Sequence, residues 1–381
     1  VLPNGDIVVH WTSGDVVASS KFSGEALRAY ANVVAQPIER ANGAEEAGEP
    51  SSSFSPTSSS SSSSSSPLEL LQFLEPYTGF PDAQGPDLRN PEHINLWGGT
   101  DADIKRFDYS EVLEKSDVNL ALLKAALVDG AALIENVPDD VEKGGGILRE
   151  FVYEAFGGLQ KDPARSEANW RIEKRENPSS ISYDHDKALA QHTDQSIPPH
   201  GLSGVALIMH YIDGAGCNTL VDGFQVAEHM RRNDPEAFHL LATYGYDAER
   251  DFQSSRVDSK QNHDKRYFVT RRNHVFQLDS QGRMQKIMYN EVFRTPLQLP
   301  FDVFPKYIEA LDKFVHLIHD DQFSISVPME KGKMLIMNNW RVLHGRKANS
   351  ATPSRVLVGG TITREAYYCK GVELAERIAA S

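Results

Sequence analysis

Short apolar and β-branched runs, separated by turn residues, occupy much of the chain between residues 203 and 362 and constrain its fold more than any other feature. Many short strands interrupted by few helices are typical of a jelly-roll barrel. We therefore predict a mainly β protein with flanking helices. The predicted strands are Val205–Tyr211, Thr219–Val221, Tyr267–Thr270, His274–Leu278, Ile287–Asn290, Phe323–Val327, Met334–Met337 and Arg355–Ile362, with helices near residues 225–232 and 305–319.

The stretch before these runs mixes helices and strands. Its apolar periodicity predicts helices over Val118–Val128 and Ile147–Phe156, and a short buried strand over Ala131–Ile134. No internal repeat interrupts the pattern. We therefore predict that residues 93–381 form one jelly-roll domain.

The first 92 residues differ from the rest in composition. Two apolar runs, Ile7–Trp11 and Val16–Ala18, flank a Gly-containing turn and predict a β-hairpin, and residues 25–35 predict a short helix. Residues 41–67 are rich in Ser, Glu, Gly and Pro and include nine consecutive serines. Such a stretch cannot bury enough apolar surface to offset the entropy of ordering it. We predict a small N-terminal β-containing domain, residues 1–92, with a disordered Ser-rich insertion at about 41–67.

Composition excludes several kinds of partner and site. The net charge of −14 argues against nucleic acid or an anionic membrane surface as the main partner. No run approaches the roughly 18 apolar residues of a membrane span. Cys217 and Cys369 are the only cysteines, which excludes a disulfide framework and favours a reducing compartment. We expect an intracellular protein, either cytoplasmic or mitochondrial. Because the sequence begins at Val1 and not at Met, we expect a processed or partial chain. A homodimer is a possible oligomeric state.

Three residues form a candidate metal-binding set. His192 and Asp194 lie in the sequence His192-Thr193-Asp194, and His344 follows His192 by 152 residues. Side chains at i and i+2 of an extended segment point the same way, so His192 and Asp194 can reach one ion. Two histidines and a carboxylate are the facial-triad ligands of Fe(II), which leave positions open for a co-substrate and O2. A His-x-Asp pair alone is weak evidence, and most of the 13 histidines are expected to be structural or surface residues.

An arginine on a predicted strand, Arg355, follows His344 by eleven residues. A planar guanidinium can hold a carboxylate through two charge-assisted hydrogen bonds. We predict that Arg355, with Thr219 as a hydroxyl donor, holds the distal carboxylate of 2-oxoglutarate, whose 2-oxo acid end would reach the metal. The alternative for Arg355 is an ordinary salt bridge at the end of a strand.

Six stretches of the chain carry a family resemblance, and they run from about Leu96 to Glu373. They are Leu96-Trp97-Gly98, Leu133-Ile134-Glu135-Asn136-Val137-Pro138, His192-Thr193-Asp194, Thr219-Leu220-Val221-Asp222-Gly223-Phe224, Asp234-Pro235-Glu236-Ala237-Phe238 and Asn339-Trp340-Arg341-Val342-Leu343-His344-Gly345-Arg346. The chain resembles the γ-butyrobetaine hydroxylase and trimethyllysine dioxygenase branch of the TauD/TfdA-like oxygenases. The resemblance implies a double-stranded β-helix, iron on His192, Asp194 and His344, and 2-oxoglutarate on Arg355 and the Thr219 region.

One departure from the family concerns zinc. Family members usually carry an N-terminal zinc module with three cysteines and one histidine. No cysteine precedes Cys217 here, so that site cannot exist in this form and we expect no zinc.

The other departure concerns the substrate pocket. The family holds a trimethylammonium group in an aromatic cage, where each cation–π contact contributes about 0.5–2 kcal/mol. Ser166 and Thr361 stand where two cage aromatics are expected. Trp170 and Tyr183 match the other two cage positions. The alternative interpretation is that they are ordinary core aromatics. The predicted substrate-binding residues are Trp170, Tyr183, Gln195 and Asn290.

These residues predict an Fe(II)/2-oxoglutarate-dependent dioxygenase that hydroxylates a small soluble substrate, betaine- or amino-acid-like, and decarboxylates 2-oxoglutarate to succinate. The predicted catalytic residues are His192, Asp194, His344 and Arg355. One alternative is a true γ-butyrobetaine or trimethyllysine hydroxylase. Two others are a catalytically silent metal-binding member of the family and a cupin-like metalloenzyme that does not use 2-oxoglutarate.

Overall fold

The structure is a computed structural model of the chain. It describes residues 7–13, 16–22, 70–77, 85–90, 92–142, 144–161, 168–174, 181–184, 186–194, 204–251, 268–348 and 355–381. The predicted helix at residues 25–35, the Ser-rich insertion, Ser166 and Gln195 lie outside the described residues.

The predicted N-terminal hairpin is confirmed. Strands β1 (Ile7–Ser13) and β2 (Val16–Phe22) pair antiparallel, with Ile7 opposite Phe22 and Ser13 opposite Val16. This hairpin and residues 298–304 fall in one compact unit, and the other described residues fall in a second. The boundary predicted at residue 92 stays a prediction.

The second unit contains thirteen further strands in its described part. In chain order they are β3 (Lys105–Asp108), β4 (Ala131–Glu135), β5 (Trp170–Glu173), β6 (Leu189–His192), β7 (Ala206–Asp222), β8 (Tyr246–Asp251), β9 (Phe268–Asn273), β10 (Phe276–Leu278), β11 (Met284–Ile287), β12 (Ser324–Glu330), β13 (Lys333–Asn338), β14 (Val342–Arg346) and β15 (Arg355–Ile362).

The long strand β7 organises the barrel, because its two halves belong to different hydrogen-bonded layers. Its first half pairs antiparallel with β13 and β15, and its second half with β12 and β14. Strands β4 and β3 extend the first layer beyond β13, β5 extends it beyond β15, and β6 extends the second layer beyond β14. This is the predicted jelly-roll core. The runs Val205–Tyr211 and Thr219–Val221, predicted as two strands, are one strand, because the half-buried residues 213–217 interrupt the apolar pattern where β7 passes between layers.

Seven α-helices surround the strands in the described part of the chain. They are α1 (Tyr109–Glu114), α2 (Ser116–Lys124, continued by a π-helical turn over Ala125–Asp129), α3 (Gly146–Phe156), α4 (Gly223–Asn233), α5 (Pro235–Thr243), α6 (Phe304–His319) and α7 (Arg364–Ala380). None of the helices in this described part is long and apolar enough to cross a membrane.

Strand β7 is buried on both faces, and the two faces contribute to two cores. Leu207 and Met209 pack inside the barrel with Leu357. Ile208, between them, packs on the outer face against helices α2, α3 and α7, in a cluster that includes Phe151. Burial on both faces explains why residues 205–209 form a continuous apolar run and not an alternating one.

Several elements differ from the sequence-based prediction. The run Ile287–Asn290 is not a strand, since β11 ends at Ile287 and the next three residues are buried without belonging to a strand. Helices α5 and α7 are not predicted, although both begin at a capping side chain: Asp234 accepts a hydrogen bond from Ala237 N–H, and Thr363 accepts one from Ala366 N–H. Asp234 and Thr363 are therefore the signals in the sequence that mark the starts of these two helices.

A fully buried ion pair links the end of β7 to the start of β14. Arg341 Nε and Nη2 donate to the two carboxylate oxygens of Asp222, at 2.9 and 2.6 Å. Arg341 also donates to the carbonyls of Val128 and Asn95, and Asp222 accepts from Trp97 N–H. Asp222 belongs to one of the six family stretches and Arg341 to another, so the ion pair gives a physical role to a residue in each.

Candidate metal centre and anion pocket

Strands β6 and β14 bring the two predicted histidine ligands together. His192, the last residue of β6, and His344, in the middle of β14, are cross-strand partners whose ring centroids lie 4.3 Å apart. Asp194 Oδ1 lies 3.5 Å from His192 Nε2. One ligand atom from each of the three residues lies within 4.8 Å of the other two. The three residues are therefore close enough together to be a candidate site for one metal ion.

His192 is held in the tautomer that a metal ligand needs. Its Nδ1 lies 2.8 Å from the carbonyl oxygen of Ala190. A carbonyl only accepts, so Nδ1 carries a proton, and in the neutral ring Nε2 is the nitrogen whose lone pair can bind a metal. Burial acts to lower the pKa of His192, but the hydrogen bond and charge of Asp194 outweigh it and raise that pKa. A metal at this site therefore competes with a proton.

His344 is neutral at working pH. Burial, followed by the charge of His192, lowers the pKa of His344 to about 3. Its Nδ1 is buried and has no hydrogen-bond partner among the residues that the structure describes. Two imidazoles and a carboxylate form a donor set that fits a divalent transition metal. The buried Nδ1 of His344, which lacks a partner among the described residues, is consistent with such a site.

Thr193, between His192 and Asp194, ties this segment to residues 289–290. Thr193 N–H donates to Tyr289 O at 2.8 Å, and Tyr289 N–H donates to Thr193 Oγ1 at 3.1 Å. Asn290 Nδ2 donates to Thr193 O at 3.4 Å, while its Oδ1 accepts from Val292 N–H at 3.1 Å. Asn290 therefore supports the metal-ligand segment, and its contact with substrate stays a prediction.

Arg355 lies at the start of β15, buried inside the barrel. Its Nη2 donates to the Tyr211 hydroxyl at 2.9 Å, and its Cζ lies 5.1 Å from the Tyr211 ring centroid. The same hydroxyl donates to Asn218 Oδ1 at 2.7 Å. A Cβ at Gly216 would lie 3.2 Å from Arg355 Nε, so the glycine leaves room for the guanidinium. Tyr211 thus orients Arg355 through a neutral group.

Thr219, the predicted partner of Arg355, lies on the same strand as Asn218 but is not part of this hydrogen-bond chain. Side chains alternate along a strand, so Asn218 and Leu220 point to one face of β7 and Thr219 to the other. Leu220 packs in the inner core. The structure brings Asn218 to Arg355 through Tyr211, and neither Asn218 nor Tyr211 is among the site residues predicted from the sequence. The role of Thr219 stays a prediction.

A second buried arginine, Arg346, stands two residues after His344 on β14. Its Nη2 donates to the carbonyls of Ile181, Asp184 and Lys187, at 3.3, 2.6 and 3.0 Å. Burial and then the charge of Arg355 lower the pKa of Arg346 to about 10. The second cause indicates a positive potential in this part of the barrel, which favours an anion.

The two predicted cage aromatics have different settings. Trp170, the first residue of β5, is half-buried beside the inner core, and its ring lies over Gly359, where a Cβ would come within 2.3 Å of it. Tyr183 is half-buried in the short 3₁₀ turn Ile181–Tyr183. Arg346, through its bonds to that segment, holds the turn near the strand of His344. Both remain predicted substrate residues.

Thr361, at a position where the family carries a cage aromatic, and the nearby Tyr367 both pack inside the fold. Thr361 is buried and its hydroxyl donates to Gln160 Oε1 at 3.4 Å. Its Cβ would lie 2.6 Å from a Cβ built on Gly204, so the backbone packs closely there. The Tyr367 hydroxyl donates to Leu123 O at 2.7 Å within the outer helical core.

The chain matches known proteins over most of its length. A family model described as taurine catabolism dioxygenase TauD, TfdA family, matches residues 92–361. Gamma-butyrobetaine dioxygenase of Homo sapiens is 26% identical over 271 residues, which cover 70% of this chain and 64% of that protein. Mitochondrial trimethyllysine dioxygenase of Bos taurus is 27% identical over 274 residues, covering 69% of this chain and 59% of that protein.

A solved structure, the non-heme iron oxygenase OrfP in complex with Fe and alpha-ketoglutaric acid, matches with a TM-score of 0.46 and 14% identity, over 69% of this chain and 94% of that one. The chain spans about three-fifths of the length of the two curated relatives named above. The family match includes β3 to β14, both histidines, Asp194 and Arg355. It confirms the resemblance in the sequence: the chain belongs to the taurine catabolism dioxygenase TauD, TfdA family.

Proposed function

We propose that the protein is an Fe(II)- and 2-oxoglutarate-dependent dioxygenase that hydroxylates a small betaine- or amino-acid-like substrate. The observation that carries the proposal is the triad of His192, Asp194 and His344, whose ligand atoms lie within 4.8 Å of one another. Family membership supports it, as do the dioxygenase names of the human and bovine relatives.

His192, Asp194 and His344 would hold Fe(II), which supplies the chemistry that couples decarboxylation of 2-oxoglutarate to hydroxylation by O2. Two neutral imidazoles and one carboxylate leave half of an octahedral coordination sphere open. His192 would present Nε2 to the metal, because its Nδ1–H donates a hydrogen bond to Ala190 O. His344 stays unprotonated because burial holds its pKa at about 3.

Arg355 would bind the distal carboxylate of 2-oxoglutarate, with Thr219 as the predicted hydroxyl donor. The Tyr211 hydroxyl orients the guanidinium. The effect of Arg355 on the pKa of Arg346 supports a positively charged pocket in which a carboxylate is stabilised.

The substrate would contact Trp170 and Tyr183, with Asn290 and Gln195 as candidate partners for a carboxylate or amide. We expect γ-butyrobetaine and trimethyllysine to be poor substrates. Losing two cation–π contacts of about 0.5–2 kcal/mol each weakens binding of a cation roughly tenfold to several hundredfold. The close packing of Thr361 against Gly204 supports the loss of one of them. Efficient hydroxylation of either compound with a micromolar KM would instead assign the protein to the alternative, a true γ-butyrobetaine or trimethyllysine hydroxylase.

The proposal is tested by anaerobic titration of the protein with Fe(II) and 2-oxoglutarate, followed by measurement of succinate on addition of O2. We expect a weak visible charge-transfer band and uncoupled succinate formation in the wild type, and neither in Asp194→Ala. Asp186→Ala is the control, because Asp186 is an exposed carboxylate shortly before β6, the strand that Asp194 follows, and it is paired with Lys174. Wild-type turnover in Asp194→Ala at limiting iron would refute the metal assignment.

Two alternatives are separated by the same experiment. A catalytically silent binding protein would bind metal and give no succinate. A cupin-like metalloenzyme would bind metal and show no band with 2-oxoglutarate. Conversion products with a mass gain of one oxygen, sought across betaines and amino acids, would identify the substrate.

We also propose a cytoplasmic or mitochondrial location. The presence of only two cysteines supports it, and the bovine relative is described as mitochondrial. A homodimer remains the proposed oligomeric alternative to a monomer, and sedimentation would distinguish them.

A further inference from the structure

The side-chain amide of Asn339 bonds to both backbone groups of Asp194. Asn339 lies in the turn between β13 and β14 and is 2% exposed. Its Oδ1 accepts from Asp194 N–H at 2.9 Å, and its Nδ2 donates to Asp194 O at 3.0 Å. An asparagine amide carries the same donor and acceptor types as a peptide group, so this reciprocal pair takes the place of a strand partner.

Asp194 needs such a partner because it lies beyond the end of β6. The last register pair of β6 and β14 is His192 with His344, and Asp194 follows two residues later in a turn. The ladder therefore sets the backbones of His192 and His344 directly, whereas the position of Asp194 depends on contacts made outside the ladder. Thr193 supplies one such contact through Tyr289, and Asn339 supplies the contact to Asp194 itself.

Asn339 also ties Asp194 to the start of β7. Its Nδ2 lies 3.4 Å from Gly204 O, and its backbone N–H donates to Val205 O at 2.9 Å. One buried amide thus joins the metal-ligand segment, the entry of β7 and the turn that leads into β14. His344 lies five residues after Asn339, so the same turn connects the positions of both ligands.

We propose that Asn339 is a positioning residue that holds the Asp194 carboxylate in register with His192 and His344. The inference rests on the proposed function of these three residues as metal ligands. A ligand set must be held within about 0.5 Å of its productive geometry, and groups behind the ligands typically change metal affinity 10–100-fold when they are removed. Because Asn339 bonds to the backbone of Asp194 and not to its carboxylate, its effect comes through position.

The neighbouring residue provides a matched control. Asn338 is also a buried asparagine, 1% exposed, at the end of β13. Its Nδ2 donates to Leu127 O at 3.5 Å, and its Oδ1 accepts from Trp340 N–H at 3.0 Å. Asn338→Ala and Asn339→Ala therefore remove the same buried amide from adjacent positions, and differ in whether the bonds to Asp194 are lost.

The experiment is calorimetric titration of metal-free protein with Fe(II) under anaerobic conditions, repeated with Co(II), whose visible spectrum reports ligand geometry. We expect Asn339→Ala to weaken metal binding about 10–100-fold and to alter the Co(II) spectrum. Asn338→Ala should keep the wild-type affinity and spectrum even if its melting temperature falls as much. Equal metal affinities in the two variants would overturn the inference.

A second variant covers the case in which Asn339→Ala does not fold. Asn339→Asp keeps the volume and the acceptor for Asp194 N–H, and loses the donor to Asp194 O. We expect weakened metal binding again, and unchanged binding would contradict the proposal. Wild-type protein that fails to bind metal, or binds it equally well as Asp194→Ala, would refute the proposed function itself and not the role of Asn339 within it.

Discussion

Two buried arginines that lie fourteen residues apart in the chain, Arg341 and Arg355, have opposite surroundings. Arg341 makes two hydrogen bonds to the carboxylate of Asp222, and both side chains are fully buried. The contacts of Arg355 include a hydrogen bond to the neutral hydroxyl of Tyr211 and a contact with the ring of that residue. Burial alone therefore does not show which role an arginine has.

The difference lies in what the partner does for the charge. Asp222 neutralises Arg341 inside the fold, so that the guanidinium serves to join β7, β14 and the segment of Asn95 and Trp97. Tyr211 orients Arg355 through a neutral hydroxyl. Burial, followed by the charge of Arg355, lowers the pKa of Arg346 to about 10. A guanidinium oriented by a neutral group is suited to bind an anion that arrives from solution.

The largest expected effect is on stability, from replacing Arg341 with Met. Removing one partner of a buried ion pair leaves an uncompensated charge and costs about 3–5 kcal/mol. Urea unfolding at neutral pH would measure the loss. The control is Arg89→Met, because Arg89 also makes a two-pronged pair with an aspartate, Asp87, but on the surface. We expect that control to change little, and equal losses in both variants would break the comparison.

Replacing Arg355 with Ala should act on co-substrate binding. Losing charge-assisted hydrogen bonds of about 1.5–3 kcal/mol raises the KM for 2-oxoglutarate roughly 10- to 150-fold. Arg355→Lys should recover part of the affinity as a point charge. Succinate formation at varied 2-oxoglutarate measures the effect. If Fe(II) affinity collapsed while this KM stayed the same, Arg355 would be structural like Arg341.

His210 provides a third case, a buried basic group kept neutral. Burial lowers its pKa to about 4, against the smaller opposing effects of Asp140 and Asp139. The unfolded state binds more protons than the folded state between pH values of about 6.5 and 4, so stability falls as pH falls through this window. The loss is about 2 kcal/mol at pH 5 by this relation. His210→Leu should lessen the decline, whereas substitution of the exposed His316 should not; identical pH profiles for all three proteins would refute the assignment.

The smallest expected effect is that of a deletion within the Ser-rich insertion. Deleting Ser51–Ser66 should leave melting temperature and turnover nearly unchanged, because a polar loop makes few buried contacts and shortening it costs little entropy. Thermal unfolding and succinate assays would measure both. A large fall in melting temperature would show that this segment packs against folded structure.

The sequence predicted the fold and the ligand set from patterns of different range. The hairpin at Ile7–Phe22, strand β15 and helix α6 follow from local periodicity, and they are confirmed. Strand β14 is not predicted, because it contains two polar or charged residues, His344 and Arg346, that the fold buries. Local hydrophobicity could not identify it as a strand.

The site shows the same division. His-x-Asp spacing places His192 and Asp194 together because two residues of an extended segment share a face. Their meeting with His344, however, depends on the pairing of β6 with β14. The sequence does not predict the hydrogen bonds of Tyr211, Arg346 and Asn339. A polar residue type shows that a side chain is able to form a hydrogen bond, but it does not identify a partner that is distant in the chain.

By itself, the sequence determined the family, the residue types of the candidate metal site and the strand-rich character of the second half of the chain. The tertiary structure alone decided that Arg341 is neutralised by Asp222, that Arg355 is oriented by Tyr211, and that Asn339 holds Asp194. The reason is physical: residue type and local spacing determine which contacts a side chain is able to make. Which of them it makes depends on the pairing of strands more than a hundred residues apart, and in a buried site that pairing sets both charge and geometry.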